Sequence, residues 1–310
     1  MSLLASKHHL GRETSHQFWD RDLEPKLTIV SGEEVSLLLR DGSNGQITKS
    51  TDPSQLHDLD FTQMDPLTGP IHVQGAKPGD AISVEILDIS IGSWGWSGIL
   101  PNFGLLSDIF SGPLLKIWDT TSDHIEIANG LRFDLQPMLG VIGVAPELPG
   151  KYSSVVPTRA GGNIDVKYAR VGSKILLPVM TNGALLSLGD AHALQGDGEL
   201  SGTAIECEAD VVIKVELVRN ANLKAPIIEA MESMKSANER YRIFLGVGPD
   251  LWEAARQASL QATEAVARAL KINEDEAYGL LGIIAELRIH EIVDKPNWII
   301  GCMVPSRIFS

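Results

Sequence analysis

Hydrophobic and polar residues alternate along several short segments in the first two-thirds of the chain, and such alternation is typical of β-strands. The clearest run spans residues 203–217, where mostly charged residues separate the apolar positions Ile205, Cys207, Ala209, Val211, Ile213, Val215 and Leu217. Because successive side chains of a strand point to opposite faces, this run predicts one half-buried strand with Glu206 on its polar face. Further strands are predicted at residues 35–40, 81–87, 174–179 and 184–188.

The pattern changes near residue 250, where apolar residues begin to recur every three or four positions. This spacing predicts two helices with alanine-rich faces suited to core packing. Asp250 and Asn273 precede them, and each is followed three residues later by Glu, which is a capping-box pattern. We expect the second helix to include Leu287. Residues 298–304 then predict a final strand.

The order of these elements indicates a mainly β fold. Strands come first and helices late, which favours a β-sandwich of the jelly-roll kind with a helical C-terminal addition. We expect one domain over residues 1–310, with a β-rich part at 20–220, the helical addition at 250–293 and the final strand at 298–304. A parallel α/β fold is disfavoured because helical patterns do not alternate with the early strands.

Composition excludes several classes of function. The net charge is −14 and no basic stripe is interleaved with aromatic residues, so nucleic-acid binding is disfavoured. No apolar run reaches the roughly 20 residues that a membrane-spanning helix needs, and residues 1–9 lack an apolar leader core. We therefore expect a cytoplasmic protein without a membrane partner. The two cysteines, Cys207 and Cys302, are too few for a disulfide framework.

Residues 189–199 carry an unusual density of reactive side chains. Three acids, a histidine and a glutamine share this segment with three glycines, between two predicted strands. Asp190 and His192 are two residues apart, so an extended chain points both the same way, and this suits a carboxylate and an imidazole that bind one cation. A surface Asp–His pair is the alternative interpretation.

Other segments carry weaker signals. Gly-Gly-Asn-Ile-Asp at 161–165 is also ordinary turn chemistry. His16 precedes Phe18 and Trp19, and a histidine flanked by aromatic residues could line a pocket. The chain has no phosphate-binding glycine loop, no His-Glu-x-x-His motif and no Gly-x-Ser-x-Gly motif.

Taken together and in order, these segments resemble the acetamidase/formamidase family of amidohydrolases. The matching blocks are residues 68–70 with 75–80, 100–104, 137–146, 161–165, 183–199 and 202–206, with 276–278 and 287–289 further on. The resemblance covers nearly the whole chain, and the block 183–199 is long and specific. Asp65, Glu286 and Glu291 depart from the family's pattern, which leaves the substrate open.

The resemblance implies a β-sandwich core with appended helices, hydrolysis of small carboxamides to carboxylate and ammonia, and a bound divalent metal. As metal ligands it implies Asp165, Asp190 and His192. Glu199 and Glu206 are candidates for a further metal ligand or for the general base, Asp197 is a further catalytic candidate, and the candidates for binding substrate are Asn163 and Gln195.

Several alternatives stay open at this point. Mixed nitrogen and oxygen ligands favour zinc, whereas an acid-rich set favours calcium, and we expect zinc. The substrate could be a linear amide such as formamide or acetamide, or a cyclic lactam. A further hypothesis is that the chain is a non-catalytic β-sandwich binding module stabilised by a cation. A metal oxygenase is disfavoured because it needs two histidines where the main segment offers one. A homodimer is expected as the commonest assembly.

Overall fold

The computed structural model describes residues 7–110, 112–231 and 240–309. Its strands are β1 (His8–Leu10), β2 (Ser15–His16), β3 (Phe18–Trp19), β4 (Leu27–Ile29), β5 (Glu33–Leu39), β6 (Leu67–Val73), β7 (Ala81–Ile91), β8 (Trp94–Ile99), β9 (Leu114–Asp119), β10 (His124–Glu126), β11 (Arg132–Asp134), β12 (Met138–Gly143), β13 (Tyr152–Ser153), β14 (Gly161–Asn163), β15 (Lys174–Pro178), β16 (Ala184–His192), β17 (Glu206–Cys207), β18 (Ala209–Val218), β19 (Ile227–Met231), β20 (Arg240–Gly248), β21 (Glu286–Glu291) and β22 (Trp298–Pro305). The α-helices are α1 (Leu251–Leu270) and α2 (Glu274–Ile284), and short 3-10 helices lie at Arg12–Thr14, Pro53–Asp58, Phe61–Gln63, Ala128–Gly130 and Ser306–Phe309. Residues 1–6, which carry most of the segment expected to lack a leader, lie outside the described residues.

Two large sheets dominate the molecule. The first has the strand order β1-β5-β18-β7-β15-β19-β20-β22-β21, and the second has the order β14-β12-β16-β17-β8-β9, with β6 joined to β16 and pairing with β2 and β4. Buried residues of both sheets, such as Leu37 and Leu188, belong to one apolar core. The prediction of a mainly β chain with late helices is therefore confirmed, while the jelly-roll sandwich stays a prediction.

The alternating run at 203–217 folds as two strands instead of one. In β18 the alternation holds, since Val211, Ile213 and Val215 are buried and the residues between them are partly exposed. The chain breaks its strand at Glu208, however, and the short β17 before it pairs with β16 and β8 in the second sheet. Glu206 is therefore buried, and the prediction that it lies on a polar face is wrong because the chain crosses between sheets there.

The helices begin where the capping patterns predict. The Asp250 side chain accepts a hydrogen bond from the Glu253 backbone N–H, and Asn273 caps α2 in the same way. The alanine face of α1 packs on β20 so closely that a Cβ at Gly246 would lie 1.8 Å from the Ala254 carbonyl oxygen. Core packing is thus the role of that face. In the described part of the chain no helix is long and apolar enough to cross a membrane.

The second helix is shorter than predicted. It ends at Ile284, and Leu287 lies in β21, which pairs with β22 at the edge of the first sheet. The expectation of helix through residue 293 is wrong, because from Leu287 onwards the apolar residues alternate with polar ones and pair with a neighbouring strand. Glu291, the last residue of β21, interacts electrostatically with Asp165.

Candidate active site

The segment with the densest chemistry begins inside the second sheet. Residues 189–192 are the last four residues of β16, every residue of which is buried. Asp190 and His192 both lie in this strand, and the His192 Nε2 atom is 3.0 Å from Asp190 Oδ2. The two side chains therefore do converge, as their spacing predicts.

Neighbouring strands bring two further acids to this pair. The β16–β17 pairing sets Glu206 opposite His192, with Glu206 Oε2 3.0 Å from His192 Nε2. Asp165 follows β14, and its backbone N–H donates to the Gly140 carbonyl in β12, which pairs with β16. Asp165 Oδ1 consequently lies 3.7 Å from His192 Nδ1.

Three more acids complete the lining. Asp65 lies two residues before β6, whose residue Leu67 pairs with Gly189, and its carboxyl group interacts electrostatically with Asp190. Glu199 follows β16 in a loop held to β21 by a bridge between Gly198 and Glu291. Asp294 comes three residues after Glu291, and its Oδ2 accepts a 2.8 Å hydrogen bond from Asn163 Nδ2.

Four of these acids have a left-handed backbone. The φ angles of Asp65, Asp165, Asp190 and Glu199 are 48°, 42°, 50° and 44°. Such angles are uncommon for residues other than glycine, and strained backbone is concentrated at functional sites. The fold therefore holds these carboxylates in orientations that an ordinary extended chain would not give.

Two glycines leave room for the cluster. A Cβ on Gly140 would lie 2.6 Å from both Asp165 Oδ1 and Asp190 Oδ2, and a Cβ on Gly42 would lie 2.6 Å from Asp190 Oδ1 and 3.0 Å from Glu206 Oε2. Because Gly42 and Gly140 have no side chain, the polar groups of the cluster occupy the space that the Cβ of any other residue at these positions would fill.

Gln195 determines which nitrogen of His192 faces the carboxylates. The Gln195 Nε2 group donates to the Asp165 carbonyl at 2.6 Å, so its Oε1 is the atom that lies 2.7 Å from His192 Nδ1. His192 therefore donates its Nδ1–H to Gln195, and its Nε2 points at Asp190 and Glu206. A metal-binding histidine commonly has its other nitrogen held in this way.

Burial raises the pKa of several carboxyl groups in the cluster. It raises the pKa of Asp165 to about 7 and that of Glu206 to about 8, and it raises the pKa of Glu199 well above its usual value. Burial alone would lower the pKa of His192, but the charges of Glu206 and Asp190 outweigh it, so this pKa lies well above normal. Carboxylates packed together away from water resist ionisation unless positive charge accompanies them.

The donor set fits a bound cation. Within the described residues, both carboxylate oxygens of Asp165 and the Oδ1 atoms of Asp190 and Asn163 are buried without a hydrogen-bond partner. Three groups of possible ligands lie within 4.8 Å of one another: Asp165 with Asp190 and His192, His192 with Glu199 and Glu206, and Asp165 with Glu199 and Asp294. Oxygen-rich sets with one imidazole suit a divalent metal.

A small cavity opens onto the acids. Its volume is about 30 Å³, and none of its lining residues, all of which lie in the described part of the chain, is Lys or Arg. Asp190, Glu199, Glu206 and Asn163 line its polar side, while the apolar wall consists of Phe61, Met64, Trp96, Leu100, Phe103 and Val155. Such a mixture of apolar wall and a few convergent polar groups is typical of a small-molecule site.

The structure thus brings together most of the residues selected from the sequence. Asp165, Asp190, His192, Glu199 and Glu206 are all buried in one cluster. Asn163 lines the cavity, whereas Gln195 contacts His192 from outside it.

Asp197 lies beside the cluster in a different environment. Its carboxylate is 2.7 Å from Lys167 Nζ and 3.2 Å from His290 Nδ1, and 22% of its side chain is exposed. His16 also lies apart from the cavity lining, with its Nε2 3.0 Å from the Ser187 hydroxyl.

Sequence reasoning missed Asp65, Glu291 and Asp294 as members of the site. Asp65 and Glu291 stood out only as departures from the family's pattern, and Asp294 gave no signal because it lies in an ordinary polar stretch. Burial raises the pKa of Glu291 to about 8, and it also raises the pKa of Asp294 well above its usual value. These acids share the low-dielectric environment of the cluster.

Comparison with known proteins finds similarity along nearly the whole chain. A family model described as the acetamidase/formamidase family matches residues 4–153 and 150–310. A formamidase of Methylophilus methylotrophus is 28% identical over 95% of this chain and 89% of its own length. The crystal structure of an acetamidase from Bacillus halodurans is 31% identical, covers 97% of this chain and 98% of its own, and superposes with a TM-score of 0.88. A gamma lactamase from Delftia acidovorans is 26% identical over 100% of this chain and 92% of its own, with a TM-score of 0.67.

Proposed function

The chain belongs to the acetamidase/formamidase family, and from that premise we propose that it hydrolyses small linear carboxamides to a carboxylate and ammonia with the help of a divalent metal. One observation carries the assignment to this site: Asp165, Asp190, His192, Glu199 and Glu206 form a buried cluster, of which Asp190, Glu199 and Glu206 line a cavity of about 30 Å³. A cavity of that size holds about two groups as large as water, which suits a very small amide.

The metal would be held by Asp165, Asp190 and His192. Their donor atoms lie within 4.8 Å of one another, and Gln195 leaves His192 Nε2 directed at Asp190. A divalent cation, when bound, supplies Lewis acidity that activates water and polarises a carbonyl group. We propose zinc, because one imidazole and two carboxylates form a mixed nitrogen and oxygen set.

The chain's own residues then move the proton and orient the amide. Glu199 and Glu206 line the cavity, so either carboxylate can accept the proton of an attacking water and deliver it to the leaving nitrogen, a role typically worth about 10²–10⁴-fold. Asn163 donates to Asp294 through its Nδ2, which leaves Oδ1 as an acceptor for the N–H of the substrate amide.

The roles of the remaining candidates follow from their contacts. Both ends of the Gln195 amide are engaged, by His192 and by the Asp165 carbonyl, so we propose that Gln195 orients the ligands and does not touch substrate. Asp197 anchors the loop that carries Glu199, through Lys167 and His290. A single jelly-roll domain, a homodimer and a cytoplasmic location are further proposals.

A cyclic amide is a second candidate substrate. The similarity to a protein named gamma lactamase favours it, but the lower TM-score of 0.67, against 0.88 for the acetamidase, and the small cavity favour the linear amide.

Ammonia release from formamide, acetamide and a five-membered lactam, with and without a chelator, tests the proposal. We expect release from the linear amides, loss on chelation and recovery with zinc, with metal content measured on the same preparation. His192→Ala should lose metal and ammonia release together, whereas His57→Ala, an exposed histidine outside the cluster, should behave as wild type. Chelator-resistant turnover, or turnover by His192→Ala, would contradict the metal assignment.

A further inference from the structure

The apolar wall of the cavity is built as a separate small core. Met64, Trp96 and Leu100 belong to a cluster of buried residues distinct from the main core, with Phe103 and Val155 packed against it. The Trp96 Nε1–H donates to Asp41 Oδ2 at 2.8 Å, which holds the indole plane in place. The deep part of the wall is therefore rigid.

An aromatic pair forms the outer part of the same wall. The ring centroids of Phe61 and Phe103 are 6.1 Å apart in an edge-to-face arrangement, and Phe61 is 41% exposed while Trp96 and Leu100 are 1% exposed. The solvent side of the cavity thus lies at these two rings.

Local hydrogen bonds hold Phe61 in position. It begins a 3-10 helix capped by Asp60, whose side chain accepts from the Thr62 N–H at 2.9 Å. The backbone of Asp60 is in turn bound at both its N–H and its carbonyl by the side chain of Gln46. Gln46 follows Gly42 in the segment that borders the acids. These hydrogen bonds therefore connect Phe61 to that segment.

Phe103 is held by the loop that carries Glu199. The Leu105 N–H donates to the Leu200 carbonyl at 3.0 Å, and a Cβ on Gly202 would lie 2.5 Å from the Phe103 ring. Gly202 has a φ of 85°, so both its space and its backbone favour glycine. The Phe103 ring therefore packs directly against the loop that carries Glu199.

We propose that Phe61 and Phe103 are the specificity-determining residues that limit the acyl chain length of the substrate. This inference rests on the proposed amide hydrolysis. The amide group must face the carboxylates and Asn163, so the acyl chain extends along the apolar wall. With room for about two water-sized groups beside the acids, the shortest acyl group fits best, and each further methylene must press against one of the two rings.

The test is the chain-length profile of kcat/KM for formamide, acetamide, propionamide and butyramide. Phe103→Ala and Phe61→Ala should each raise the butyramide-to-formamide ratio by at least tenfold, the low end of the about 10- to 200-fold that one methylene contributes in an apolar pocket. Phe103→Trp should lower the acetamide-to-formamide ratio, and Phe133→Ala, an exposed aromatic in β11 outside the cavity, should leave the profile unchanged.

The outcomes separate this inference from the one on which it rests. If the wild-type protein releases no ammonia from formamide, the proposed function is overturned, and so is the proposal that Phe61 and Phe103 limit the acyl chain length. If the variants still hydrolyse formamide but keep the wild-type ratios of kcat/KM between amides, only the role of Phe61 and Phe103 in limiting chain length is overturned. If either alanine variant does not fold, Phe103→Leu and Phe103→Trp still decide the question, because their effects on chain length must have opposite signs.

Discussion

Gly140→Ala places one methyl group in the middle of the acid cluster. Gly140 lies in β12, and its φ is outside the left-handed range, so the backbone accepts an alanine without strain. The effect of the change is therefore purely steric. The new Cβ would lie 2.6 Å from Asp165 Oδ1, 2.6 Å from Asp190 Oδ2 and 2.9 Å from His192 Cε1.

These distances determine how large the losses of kcat/KM and of metal affinity should be. Non-bonded atoms prefer separations of about 3.5 Å or more, so both carboxylates must move by on the order of 0.5 Å or more. Metal–ligand distances tolerate about 0.2 Å, and a misplacement of about 1 Å costs on the order of 10²-fold in rate. We therefore expect kcat/KM to fall by about 100-fold and metal affinity to fall as well, while overpacking costs about 1–3 kcal/mol of stability and leaves the protein folded.

The assay combines kcat/KM for formamide, metal content after dialysis, and thermal unfolding. Gly196→Ala is the matched control, because Gly196 lies in the neighbouring loop, has no atom within 4 Å of its Cβ position and no left-handed φ. If Gly140→Ala kept wild-type metal content and activity, the three ligands would not surround this position in the working enzyme, and the site as described would be wrong.

Three further predictions follow from the same cluster. Because burial raises the pKa of Asp165 to about 7 and that of Glu206 to about 8, the metal-free folded protein binds more protons than the unfolded chain between about pH 4 and pH 8. Its Tm should therefore fall as the pH rises from 5 to 8, and a Tm that rises over this range would refute the assignment of these pKa values. Gln195→Ala should weaken metal affinity by about 10- to 100-fold without removing a ligand, as measured by competition with a chelator. Glu199→Gln should reduce kcat far more than Asp197→Asn, since only Glu199 lines the cavity; equal losses would place Asp197 in the chemistry.

Local patterns in the sequence predicted the elements well. The helix starts depend on hydrogen bonds that the side chains of Asp250 and Asn273 accept from backbone N–H groups three residues later, so they are visible in a short window. The buried positions of β18 follow from its two-residue period in the same way. The helix end was wrong because Leu287 fits a helical spacing equally well, and only pairing with β22 decides for a strand.

From residue spacing alone, the candidate site was predictable only where its members are close in sequence, and the family resemblance supplied Asp165, Glu199 and Glu206. Asp190 and His192 share one strand, and their spacing indicated a common target. Glu206 was selected by the family resemblance but was expected on the polar face of its strand, whereas no sequence feature pointed to Asp294. Its position depends on the hydrogen bond from Asn163, a residue 131 positions earlier in the chain.

The sequence by itself determined the helix starts with their caps, the alternation of β18 and the reactive segment 189–199, because each depends on interactions between near neighbours. Only the tertiary structure decided which acids share the site, which face Glu206 takes and how large the cavity is. Strand register and the crossing of a chain between sheets are set by contacts between distant segments. The pKa values of the acids follow from that burial, since the same side chains in an open loop would be ordinary ionised carboxylates.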